Sequence, residues 1–105
     1  MKHRFHSNLH VNVLRLKDCI DPIDFYTREG QEISTHGRGQ WKIGGICPFH
    51  ADRNTGSFYI NSLSGAFRCF SCDANGGDII SFVQKKYEIT FRDALEKLIN
   101  EWRVA

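Results

Sequence analysis

Cys47-Pro48-Phe49-His50 and Cys69-Phe70-Ser71-Cys72 decide how this chain is read. Each is a pair of metal-seeking side chains two residues apart, and 18 residues separate the pairs. The short gap lets the backbone fold back so that both side chains of a pair reach one ion at about 2.0–2.3 Å. Two such turns complete a tetrahedron of Cys47, His50, Cys69 and Cys72, a donor set that favours Zn²⁺ over iron. Protein fills all four positions, so the ion keeps no open site for water and its role is structural. A lone C-x-x-C pair is also a redox motif; two pairs at this spacing point to metal.

Working outward, Ser57–Asn61 alternates, with Phe58 and Ile60 on one face and Tyr59 on the other. Ser62–Gly65 has turn composition and Ala66–Phe70 returns, which predicts a hairpin. Upstream, Glu32–His36 and Gln40–Ile43 read as two short strands around Gly37-Arg38-Gly39. Helices flank this sheet. Asp21-Pro22 is a cap followed by proline at the first helical position, ahead of Ile23, Phe25 and Tyr26. Asp78 caps a helix through Ile79, Phe82, Val83 and Tyr87, after a break at Gly76-Gly77. Thr90, with Asp93 three residues on, opens a last helix whose Phe91, Ala94, Leu95, Leu98, Ile99 and Trp102 share one face, read as core packing. Val11, Val13, Leu14 and Leu16 fit a helix or a strand, and Cys19 reads as a small buried hydrophobe. The expected fold class is therefore α+β: a zinc ribbon with a small antiparallel sheet flanked by N-terminal and C-terminal helices. Residues 1–10 are expected to be a flexible tail, and 11–105 one domain.

The chain's 105 residues are 41% hydrophobic and 25% charged, which suits one globular domain. No apolar run is long enough to span a membrane, and the start lacks a secretory pattern, so a cytoplasmic, thiol-reducing setting is expected. Three thiolates and one divalent ion move the formal net charge from +2 to +1. That excludes a histone-like binder driven by overall charge; any nucleic-acid contact needs a local patch.

The two ligand pairs, Ser57-Phe58 between them, and Gly76-Gly77-Asp78-Ile79-Ile80-Ser81-Phe82 after them together resemble the N-terminal zinc-binding domain of bacterial-type DNA primases. The lead-in from Ile20 to Ile23, and Trp41-Lys42 ahead of the first pair, fit the same family. Two loop positions depart from its pattern: Thr55-Gly56-Ser57-Phe58 replaces a Thr-Pro-Ser-Phe tetrad, and Asp73 stands where glycine commonly follows the last cysteine. The resemblance implies a module that recognises a single-stranded DNA template in support of RNA primer synthesis. It would work beside a primase polymerase domain or another replication protein. The family's catalytic domain binds divalent metal through acidic residues, and no such carboxylate cluster is evident here, so catalysis is not expected of this chain itself.

Single strands are held by exposed aromatics that stack on bases and by cations that follow phosphates. If Phe58, Ile60 and Phe67 point inward, Tyr59 and Arg68 point outward, and Lys42 is expected with them. Arg53, after His50, and Arg38, at the turn, complete the candidate patch of Arg38, Lys42, Arg53, Tyr59 and Arg68. Trp41 is read as a core anchor, with a stacking platform as the alternative. Lys85-Lys86 and the mixed charges of the last helix read as a solvated face. The residues also admit a protein-interaction adaptor propped up by zinc, docking through the helix ending at Trp102, or a zinc-ribbon transcription regulator preferring duplex DNA.

Overall fold

A computed structural model describes residues 9–34, 39–51 and 54–104. Helices α1 (Leu9–Cys19) and α2 (Pro22–Arg28) precede strands β1 (Trp41–Ile43), β2 (Phe58–Asn61), β3 (Phe67–Cys69) and β4 (Asn75–Gly76). Helices α3 (Ile79–Tyr87) and α4 (Phe91–Trp102) follow. The strands form one antiparallel meander in the order β1-β2-β3-β4. This is the α+β zinc-ribbon architecture expected from the sequence.

Alternation along β2 and β3 decides which face of the sheet is covered. Phe58, Ile60 and Phe67 are buried, while Arg68 is exposed and Tyr59 is half-buried on the opposite face. Phe82 of α3 lies at the centre of the covered side. Its ring centroid is 4.8 Å from Tyr26, 5.6 Å from Phe25, 5.5 Å from Phe67 and 5.3 Å from Phe49, all edge to face. Such ring pairs add about 0.5–1.5 kcal/mol each beyond the area they bury. One ring thus joins α2, the sheet and the first ligand turn. Ala94, Leu95 and Leu98 close the core from α4, with Ile99 and Trp102 packed beside them and Phe91 left exposed.

The helix starts follow the expected chemistry. The side chains of Asp21, Asp78 and Thr90 accept from the amides of Asp24, Ser81 and Asp93. Each satisfies a backbone donor that the helix itself leaves unpaired. Asp78 also pairs with Lys17 at 2.9 Å, tying the start of α3 to α1.

Of the two readings open for Val11–Leu16 the helix is the one observed, with Leu16 and Ile20 inward four residues apart and α1 running from Leu9. Three local expectations are corrected. Cys19 is exposed, since Leu16 and Ile20 occupy the inward positions around it. Glu32–Ser34 is not a strand; the Ser34 amide donates to the Ile43 carbonyl at 2.9 Å without extending into a ladder. The rest of that segment, 35–38, lies outside the described residues. Finally, Gly76 does not break the chain but forms β4 with Asn75. A Cβ there would sit 2.5 Å from Phe67 Cε1 and 2.7 Å from Ser81 Cβ, so glycine is what lets the fourth strand lie against the core.

Candidate metal centre and the exposed sheet face

The ligand atoms of Cys47, His50, Cys69 and Cys72 all lie within 4.8 Å of one another. Cys47 and Cys69 are buried, His50 is half-buried with a buried Nδ1, and Cys72 is exposed. The Cys47 and Cys72 sulfurs are 3.9 Å apart. Two sulfurs bound to one Zn²⁺ at about 2.3 Å on tetrahedral corners lie about 3.8 Å apart, whereas a disulfide needs about 2.05 Å. The spacing fits a shared ion and excludes a covalent bond.

The two turns are built alike. The amide of Phe49 donates to Cys47 Sγ and the amide of Ser71 to Cys69 Sγ, each at 3.4 Å. In each, the residue two along points its N–H at the sulfur, as the two-residue gap requires, and partial positive charge favours thiolate. For the side chains by themselves, burial pushes the Cys47 thiol up to about 12. Burial also raises Cys69, but the backbone donors of Cys72 and Ser71 outweigh it and hold that thiol below its ordinary value. A bound divalent cation favours the thiolate form of each cysteine ligand, which works against the burial that raises Cys47.

Neighbours fix each turn. Phe49, between the first two ligands, packs its ring 5.4 Å from Phe67 and 6.2 Å from Phe58. The lead-in is held by Gln31, a residue the sequence did not single out. Its buried amide donates to the carbonyls of Gly44 and Ile46, the latter at 2.8 Å, which sets the path into Cys47. Gly45 between them adopts φ +79°, and a Cβ there would lie 2.8 Å from the Glu32 amide nitrogen. The sequence carries no signal for Gln31, because it lies far from the glycine pair along the chain and meets it only in the fold. The second turn closes through Asp73, whose amide donates to the Cys69 carbonyl at 2.9 Å with φ +63°. That is the left-handed conformation for which glycine is favoured and aspartate tolerated.

On the uncovered side of the sheet, Trp41, Tyr59, Arg68 and Phe70 line an open cavity of about 280 Å³. Trp41 is 43% exposed and Phe70 64%. Tyr59 and Phe70 meet edge to face at 5.6 Å, and the Arg68 guanidinium lies 4.9 Å from the centre of the Phe70 ring. Register explains the membership. Ile43 pairs with Tyr59 and Trp41 with Asn61, so Trp41 and Ile43 share the face of Tyr59. Lys42 pairs with Ile60 and lies on the opposite side, where it lines a separate open cavity with Ile23, Thr27 and Gln31. The structure thus keeps Tyr59 and Arg68 together, separates Lys42 from them, and moves Trp41 out of the core and onto the face. Arg38 and Arg53 lie outside the described residues. Phe70 was missed although its place after Cys69 announces it: a ligand pointing inward leaves the next residue pointing out.

Fold and site together define a zinc-ribbon domain with one structural Zn²⁺. The family model described as CHC2 zinc finger matches residues 14–105. The chain belongs to that family. Among its relatives, the DNA primase of Streptomyces coelicolor is 38% identical over 90 residues, which cover 86% of this chain and 13% of that protein. The DNA primase of Campylobacter jejuni is 49% identical over 53 residues, covering 50% of this chain and 8% of the relative. A solved structure of the Aquifex aeolicus primase, containing its zinc-binding and RNA polymerase domains, superposes with a TM-score of 0.71 at 28% identity. The match covers 90% of this chain and 22% of that one. The chain therefore spans a small fraction of the relatives it matches. Among the described residues, no helix is long and apolar enough to cross a membrane.

Proposed function

We propose that this chain is a template-binding module of DNA primase type, in which Cys47, His50, Cys69 and Cys72 hold the zinc and the uncovered sheet face receives single-stranded DNA. It would support RNA primer synthesis carried out by a polymerase domain, in a cytoplasmic setting, with no catalytic chemistry of its own. The observation that carries this reading is the cavity formed by Trp41, Tyr59, Phe70 and Arg68. Three aromatic side chains and one guanidinium on a solvent-facing sheet are the parts from which single-strand sites are made: rings for bases, a cation for phosphate. The family relationship supplies the context, since the relatives are DNA primases.

Zinc enters as scaffold. With all four positions filled by side chains, the ion would hold Cys69 in place, and Arg68 and Phe70 flank Cys69 directly. Metal binding and presentation of the face are thereby linked through a single strand.

The test is fluorescence anisotropy with a labelled single-stranded oligonucleotide, using zinc-loaded protein. Binding should occur near physiological salt, and Arg68→Ala should weaken it while flattening its dependence on salt, by about 0.7 in the slope of log K against log salt for one lost phosphate contact. Unchanged affinity and slope would remove Arg68 from the interface. Absence of binding by the parent, with a protein recovered in pull-down instead, would favour the adaptor reading.

A further inference from the structure

The rings of the uncovered face are not equivalent. Phe70 is already engaged: Tyr59 meets it edge to face at 5.6 Å, and the Arg68 guanidinium lies 4.9 Å from its ring centre. The described ring contacts of this face leave Trp41 out. Trp41 stands on β1, 43% exposed, and shares the cavity with Arg68 of β3 and with Phe70 just beyond it. Because β2 lies between, the two walls are two strand spacings, about 10 Å, apart. That is room for one flat base, not for a base pair with its two backbones.

Reading a base by identity takes paired donors and acceptors, such as Asn or Gln on adenine and Glu or Asp on cytosine. Trp41, Tyr59, Arg68 and Phe70 include no amide and no carboxylate. The one fork that suits guanine, Arg68, lies over the Phe70 ring, and the single-strand reading gives it a phosphate. We propose that this cavity takes one unstacked base and selects it by ring size, purine over pyrimidine, with Trp41 as the stacking platform and no readout of base identity. This preference rests on the reading of the face as a single-strand site. Indole offers the broadest ring surface among side chains, and a two-ring base covers more of it than a one-ring base. Where hydrogen-bond readout is missing, preference follows stacking strength.

The probe is a short strand of abasic residues carrying one central base, titrated by anisotropy against zinc-loaded protein. Adenine, guanine and unsubstituted purine should bind within about twofold of one another, and each about three- to tenfold more tightly than cytosine or thymine. Trp41→Ala, matched to the parent in zinc content and circular dichroism, should bring that ratio close to one, and Trp41→Phe should keep part of it. Adenine or guanine standing well above unsubstituted purine would reveal hydrogen-bond readout and overturn the proposal. Equal affinity for purines and pyrimidines overturns it too, as does a ratio that survives Trp41→Ala. In each of these cases the single-strand site stands, provided the base-bearing strands bind better than a wholly abasic one. A parent that does not tell those apart overturns both.

Discussion

Phe70 follows Cys69 directly, and that offset of one residue joins two kinds of chemistry. Cys69 turns inward to the metal cluster, and Phe70 turns outward to the cavity it shares with Trp41, Tyr59 and Arg68. Phe70→Ala should weaken single-strand binding by about 1–3 kcal/mol, roughly 5- to 150-fold, with zinc content unchanged. Parallel anisotropy and metal analysis check both halves. Gln31 tests the other side of the site. Gln31→Ala leaves the buried bond to the Gly44 carbonyl and the part-buried one to Ile46 without their donor, and should cost about 1–3 kcal/mol in chemical denaturation. The four metal-binding positions were legible in the sequence because a ligand pair declares itself by spacing alone. Trp41 and Lys42 were not, because which of two neighbours faces out depends on how β1 pairs with β2. A shift of one residue in register exchanges them.

At the scale of elements, helices were easier to read than strands. Caps at Asp21, Asp78 and Thr90 and the stripe on α4 are local signals, and the structure contains each of them. The strands are two to four residues long, too short for alternation to define their limits. β4 consists of Asn75 and Gly76, so composition suggests a break, and only the packing against Phe67 shows why the second position is glycine. Gly76→Ala should therefore destabilise the domain by about 1–3 kcal/mol through overpacking, not through backbone strain. A drop in the denaturation midpoint checks it. Asp78 joins two elements at once. Burial raises its carboxyl, but the Ser81 amide and the Lys17 ammonium outweigh that and hold it below the usual range. Asp78→Ala removes the cap of α3 and its tie to α1, and should cost about 1–2 kcal/mol. Asp78→Asn, which can still cap, should recover part of that loss in the same thermal melt.

The molecule as a whole combines a modest core with a metal cluster at its margin. Its chain of 105 residues buries a limited apolar surface, and rings from α2, α3 and the sheet meet around Phe82. Phe49 carries that ring cluster into the first ligand turn, so core and metal site are built from a common set of contacts. Overall class was legible early because patterning, caps and ligand spacing agreed. The make-up of the exposed face was not, since it exists only once four strands are in register. One Zn²⁺, held by four side chains from two turns, maintains this sheet. Structural zinc in small domains contributes on the order of 10 kcal/mol. The direct measurement is a chelator titration of reduced protein, following released zinc colorimetrically and far-ultraviolet circular dichroism in the same cuvette. One equivalent of zinc per chain should be released, with the folded spectrum lost in step. Substoichiometric zinc in fully folded protein, or a spectrum that survives complete removal, would contradict it.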